Sequence, residues 1–354
     1  MKNYKGLIVF GALMFSTSII SGCSEEYKVN KKNEIKIGVT LYKQDDTFIA
    51  SISSYLEEIS KEKEQKEDIK IQLDFVDAKG SLTNQGNQID KFIKQDYDII
   101  CVNLVDRTAA ATIIDKAKSA NVPLVFFNRE PVEEDLNRWN KVYYVGAQAR
   151  RSARMQAEIV IEEWTKNKSK IDKNGDNKIQ YVMLEGEPGH QDALIRTEYC
   201  IKDIDDYGIE LEKLADDSAN WQSDQAISKM NQWIQEFGDE IEVVFSNNDV
   251  MALGAIHSIN STDVFSEKPI VVGIDGIKEA LEAVQKGELT GTVISDAKVQ
   301  AKAIFDISYS LARGLDVNNV QGINGKYVKT QHTKVTSKNV DGYLGKKEEG
   351  IGKK

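Results

Sequence analysis

A chain of 354 residues, 41% apolar and 29% charged, is long enough to bury the cores of two globular domains. Its formal charge of −10, with no basic cluster outside the termini, argues against nucleic acid as a partner. The three cysteines, Cys23, Cys101 and Cys200, offer neither a disulfide framework nor the spacing of a cysteine metal site.

Residues 1–22 read as an export signal. Lys2 and Lys5 supply the positive region, Leu7 to Ile20 the apolar core, and Ser21-Gly22 the small residues that precede Cys23. The core is too short and too interrupted to span a bilayer. Ile20-Ser21-Gly22-Cys23 resembles a bacterial lipobox, in which cleavage precedes the cysteine and its sulfur is diacylglycerated. An ordinary signal peptide with an unrelated cysteine is the alternative. Each buried acyl methylene is worth about 0.8 kcal/mol, so several chains would hold the protein firmly on a membrane. Residues 23–34 are polar and Lys/Glu-rich and suit a flexible tether.

From Ile35 onward short apolar runs alternate with polar segments of helical length. The runs are Ile35–Tyr42, Ile69–Val76, Ile99–Val102, Val122–Phe127, Val142–Val145, Ile179–Leu184, Ile241–Phe245, Ile270–Ile274 and Thr290–Ile294. Val299–Leu311 shows the three-or-four spacing of an amphipathic helix. Such alternation predicts βαβ units, parallel sheets and an α/β fold, with two sheets of about five or six strands rather than one. No helix-turn-helix opens the mature chain, and residues 344–354 read as a polar tail.

Polar and aromatic residues collect where these strands end. The first strand is followed by Asp46 and Phe48, the fourth by Asn128, and the sixth by Gly186-Glu187-Pro188-Gly189 with His190, Asp192 and Arg196. Later strands are followed by Asn248 and Asp249, by Asp275, and by Ser295 and Asp296. Each of these could be an ordinary helix N-cap, and capping is the expected role of Asp249 and Asp296. Asp192 and Arg196 are spaced to share a helix face, as in a plain surface pair. Together, however, the set suits a polar cleft at the carboxyl ends of strands, where open α/β sheets bind ligands. Trp221 stands among polar neighbours, as a surface anchor or a stacking platform, whereas Trp164 and Trp233 fall in amphipathic patterns and suit packing. Asp, Asn and Arg groups match the paired hydroxyls of a sugar, and aromatic rings match its apolar faces.

Between residues 172 and 180 oxygen-bearing side chains stand at alternate positions: Asp172, Asn174, Asp176 and Gln180, with Lys178 placed to offer its backbone carbonyl. This is the spacing of a loop wrapped on a hard cation. An EF-hand would end in Glu at position twelve, where this chain has Met183, and would turn at Gly in position six, where it has Asn177.

The segments IGVTLYKQDDTF, NLVD, VPLVFFNREP, YYVG, GEPGHQDA, EVVFSNNDVMALGA, VGIDG and GTVISDA carry a resemblance that spans about Ile35 to Asn339. Over that stretch the chain resembles the periplasmic D-galactose/D-glucose-binding proteins of bacterial ABC importers. The resemblance implies two Rossmann-like, doubly wound α/β domains of the periplasmic-binding-protein type I, joined by hinge strands near Gly146–Gln148, Ser295–Ala297 and Thr330–Thr333. It places residues 35–146 and 297–330 in the N-terminal domain and 147–296 and 331–343 in the C-terminal one. It also implies that Phe48 and Trp221 sandwich the sugar ring, while Asp46, Asn128, His190, Asp192, Arg196, Asn248 and Asp275 hydrogen-bond its hydroxyls. A structural Ca2+ would be held by Asp172, Asn174, Asp176, the Lys178 carbonyl, Gln180 and, from a different strand, Glu242. Ser295 departs from the family's Asn, so one direct hydrogen bond would be lost or pass through water.

The implied function is that of a monomeric, lipid-anchored sugar receptor, not an enzyme, that closes on D-galactose or D-glucose and delivers it to an ABC permease. A lipoprotein of the same fold that reports occupancy to a membrane histidine kinase or chemoreceptor is the alternative. A glycosidase built on paired carboxylates such as Asp46 and Asp192 is a third reading.

Overall fold

The structure, a computed structural model, describes residues 33–344. The export signal, Cys23, the tether up to residue 32 and the tail from residue 345 lie outside the described residues.

Strands and helices alternate along the chain. The first unit runs β1 (Glu34–Leu41), α1 (Thr47–Glu67), β2 (Lys70–Asp77), α2 (Leu82–Lys94), β3 (Ile99–Val102), α3 (Ala110–Ser119), β4 (Leu124–Phe127), α4 (Glu133–Leu136) and β5 (Val142–Ala147). The second continues with α5 (Ala149–Ile171), β6 (Lys178–Glu185), α6 (Gln191–Asp206), β7 (Glu210–Ser218), α7 (Ser223–Phe237), β8 (Val243–Ser246), α8 (Asp249–Asn260), β9 (Ile270–Val272), α9 (Lys278–Lys286) and β10 (Gly291–Ser295). The chain ends with α10 (Ala297–Arg313), β11 (Ile323–Asn324), β12 (Tyr327–Thr330), β13 (His332–Thr336) and α11 (Asp341–Leu344).

These strands form a seven-stranded sheet, ordered β11-β12-β5-β4-β3-β1-β2, and a six-stranded sheet, ordered β13-β10-β9-β8-β6-β7. All pairings are parallel except β11 with β12 and β10 with β13. Helices cover both faces of each sheet. In the first, α1 and α10 pack on one face and α2 and α3 on the other. In the second, α5 and α6 oppose α7, α8 and α9. The central strands β3, β4 and β8 are therefore buried at every position, which is why they read as unbroken apolar runs.

The chain passes between the sheets at Ala147–Gln148, at Ser295–Asp296 and at Gln331. Helix α10 follows a strand of the second sheet yet packs against α1, and β12 pairs with β5 of the first sheet. One residue later β13 pairs with β10 of the second. Trp164 and Trp233 are buried core residues, and Cys101 and Cys200 are free and buried. Among the described residues no helix is long and apolar enough to cross a membrane.

Candidate functional site

Both sheets turn the carboxyl ends of their strands toward one cavity. It is lined by every residue of the candidate set: Asp46, Phe48, Asn128, His190, Asp192, Arg196, Trp221, Asn248, Asp275 and Ser295. Tyr42, Ala147 and Gln300 complete the lining. About 490 Å³ of atom-free space lies inside, part of it open to solvent.

From the first unit, Asp46 caps α1, its Oδ1 accepting the Ile49 N–H at 2.9 Å while Oδ2 accepts the Tyr42 hydroxyl at 2.6 Å. This places the carboxylate at the mouth of β1 and fixes its rotamer. Phe48 follows in the first turn of α1. Asn128, just after β4, adopts φ +61° and accepts a hydrogen bond from Asn103 Nδ2 at 3.1 Å, and its own amide N–H2 meets no acceptor among the described residues.

From the second unit, His190 caps α6 through Nδ1, which accepts the Asp192 N–H at 3.1 Å. Burial, reinforced by Arg129, Arg196 and Arg107, pushes its pKa well below the ordinary range. The ring is thus neutral, and an acceptor role for Nδ1 places the proton on Nε2 as a donor. Arg196 Nη2 donates to Asp192 Oδ2 at 3.1 Å, and Nη1 donates to the Asn247 carbonyl at 2.8 Å and lies 3.9 Å from Asp275 Oδ1. The sequence pair Asp192–Arg196 is therefore buried, at 9% and 6% exposure, rather than a surface pair. Burial raises the pKa of both Asp192 and Asp275, and the Arg196 charge opposes it.

Asn248 caps α8 through Oδ1, which accepts the Met251 N–H at 3.0 Å, and its N–H2 has no partner among the described residues. The expected capping role of Asp249 is corrected: the neighbouring Asn248 takes it. Asp249 is fully buried and accepts from Gly276 N, Ile277 N and Thr292 Oγ1, tying the loop after β9 to β10. Asp296 does cap, accepting the Val299 N–H at the start of α10.

Two cavity residues besides Asn128 carry unusual backbone geometry. Trp221 holds φ +66° and Asp275 φ +121°, conformations rare for residues with a Cβ. The indole lies so close to Gly186 that a Cβ there would fall 2.0 Å from the ring. The His190 imidazole meets the same indole edge to face at 5.2 Å. The sequence GEPGH thus supplies both the floor and one wall for Trp221.

Two contacts close the gap between the units. Arg129, after β4, forms an ion pair with Glu187, after β6. Gln191 Nε2 donates to the Asn128 carbonyl at 3.2 Å. Arg129 is held from its own side, its Nη1 donating to the Val105 carbonyl at 2.6 Å and its guanidinium stacked 4.0 Å from the Tyr42 ring centroid.

Tyr42 and Gln300 were missed by sequence reasoning for separate reasons. Tyr42 reads as the last residue of an apolar strand. Gln300 lies in the amphipathic pattern that starts at Val299, but Val299 is half exposed and Gln300 faces inward with Ala301 and Ile304. A glutamine at a core position of the helix was the signal available.

The 172–180 loop lies at the opposite end of β6, an eight-residue strand, so roughly 25 Å separates it from the cavity. Asn177 makes the turn at φ +70° with Gly175 at φ +77°. Glu242 reaches the loop from just before β8, its oxygens accepting Lys173 N at 2.7 Å and Gln180 N at 3.0 Å. Asp172 Oδ1 and Gln180 Oε1 are buried acceptors with no partner among the described residues. Among the described residues no three His, Cys, Asp or Glu side chains gather as around a metal, but this loop offers carboxylates mixed with amides and a carbonyl. Asn174 and Gln180 turn their N–H2 groups on Asp176 Oδ2, at 3.1 and 2.7 Å. With those amides turned over, the same set would present oxygens, so the residues fit a hard cation.

Residues 37–316 match the periplasmic binding protein domain family. A D-galactose/methyl-galactoside binding periplasmic protein, MglB, of Haemophilus influenzae is 39% identical over 280 residues, covering 79% of this chain and 82% of the relative. This chain belongs to the periplasmic binding protein family. A putative rhizopine-binding protein of Rhizobium meliloti is 30% identical over 78% of this chain and 84% of its own. An ABC transporter solute-binding protein from Bacillus halodurans, solved with bound myo-inositol, superposes with a TM-score of 0.73 at 29% identity, covering 88% of this chain and 98% of its own. Periplasmic binding proteins bind solutes outside the cytoplasm and are not enzymes, which removes the glycosidase reading. Their paired α/β units are those seen here.

Proposed function

We propose that this periplasmic binding protein is the sugar receptor of an ABC importer, that its preferred ligand is D-galactose, D-glucose or a galactoside, and that a lipid on Cys23 holds it at the membrane. The observation that carries this reading is the cavity itself. Acceptors (Asp46, Asp192, Asp275) and donors (Asn128, His190, Arg196, Asn248) converge there with the aromatic rings of Phe48 and Trp221. A polyol needs both kinds of partner at each hydroxyl, and a ring needs apolar faces. MglB, 39% identical, adds weight to galactose, while similar proteins named for xylitol, ribose and rhizopine show how wide the ligand range of such relatives is. Ligand would bridge both units and so favour the closed form. We place a structural Ca2+ in the 172–180 loop, where it would satisfy the two orphaned oxygens.

The test is calorimetry on the chain without residues 1–23, titrated with galactose, glucose, ribose, xylose and myo-inositol, with and without prior chelation. Galactose or glucose should bind at about 10 µM or tighter (about −7 kcal/mol). Chelation should lower the thermal midpoint more than it lowers affinity. Preference for a pentose or an inositol would overturn the hexose assignment, and an unchanged midpoint would overturn the calcium one.

A further inference from the structure

Gln300 stands on α10, one turn beyond the crossing at Ser295–Asp296, and is 1% exposed. Its Nε2 donates to Ser295 Oγ at 3.1 Å, and its Oε1 is buried with no hydrogen-bond partner. Both residues line the cavity. Ser295 thus engages one end of the amide, and the other end meets no hydrogen-bond donor among the described residues. A buried amide end without a partner costs stability, so such a group is normally matched by something. Ser295 alone is too short to replace the longer amide that the family resemblance implies at that position.

We propose that Gln300 is a ligand-contacting residue: anchored by Ser295, its free amide end takes one hydroxyl of the bound sugar and so helps to set which hydroxyl pattern is accepted. This rests on the sugar-receptor reading. The chemistry follows from a site built to pair a hydroxyl, which rejects the analogue lacking it because the partner is left unmatched. Ser295 then acts as a positioning residue that holds the amide toward the cavity.

The experiment compares wild type with Gln300→Met, which keeps the volume and removes the amide, and with Ser295→Ala. Each is titrated with the preferred hexose and its single-deoxy analogues. Gln300→Met should weaken the parent hexose about ten- to a hundredfold. It should leave one deoxy analogue nearly as tight as in wild type, so that discrimination at one hydroxyl collapses and the others persist. Ser295→Ala should erode discrimination at the same hydroxyl by a smaller factor, and this comparison serves if Gln300→Met does not fold. Unchanged affinity and discrimination in both variants would overturn the assignment of Gln300 and leave the receptor reading standing. Wild type that binds no sugar would overturn both.

Discussion

Asp249 sits fully buried between two loops, and burial raises its pKa from 3.8 to about 6 despite hydrogen bonds from Thr292, Ile277 and Gly276. Because the folded protein holds this proton more tightly than the unfolded chain, its contribution is fully present below about pH 4. It is lost as pH rises through about 6. That difference corresponds to about 3 kcal/mol. Asp249→Asn should therefore flatten the fall in unfolding free energy between pH 4 and 6, measured by urea denaturation. Equal slopes for variant and wild type would contradict the assignment. The sequence placed an acid here but assigned it to helix capping, because an Asp beside a helix start says nothing about which backbone N–H groups lie across the fold. His190, Asp192 and Arg196 were legible as a group since one helix start carries all three. Gln300 was not, because its partner Ser295 lies on the strand side of a domain crossing.

At the level of elements, the apolar runs coincide with strands to within about two residues, and central strands are the clearest, since burial on both faces leaves no polar interruption. β7, with the sequence ELEKLADDS, escaped notice for the opposite reason. It is an edge strand with mixed exposure, and its charges are what such an edge needs to avoid pairing with other chains. The turn from β7 to α7 nevertheless delivers Trp221 to the cavity, with Asn220 at φ +50° and Trp221 at φ +66°. The strained turn and the bare Cα of Gly186 together allow the indole to lie flat against the end of β6. Gly186→Ala should push the ring away, reducing affinity for every bound sugar by about tenfold or more while changing the unfolding midpoint little. Wild-type affinity in that variant, read by calorimetry, would show that the indole has no part in binding.

For the molecule as a whole, closure on ligand, as proposed above, would be favoured by contacts that join the two units. Arg129 makes such a contact: its bonds to Val105 and Tyr42 lie within its own unit, while its ion-pair partner Glu187 belongs to the other. Neither Arg129 nor Glu187 lines the cavity. Glu187→Gln should weaken all ligands by a common factor of about three to ten and speed release, leaving the ranking among sugars intact. Stopped-flow release rates that match wild type would show that the pair does not stabilise closure. The same Arg129 stacks on Tyr42, whose hydroxyl is bonded to Asp46, so the latch and a cavity carboxylate share one ring.

The three passages between the sheets also order events in time. β12 completes the strand beside β5, and β13 the strand beside β10, yet both arrive after α10, within the last part of the chain to be made. A growing polypeptide can form β1 to β4 early, but the edge of β5 stays unpaired until residue 327, and that of β10 until residue 332. Neither half can finish before the other is nearly finished. The two units, separate in space, are a single object in the order of their making.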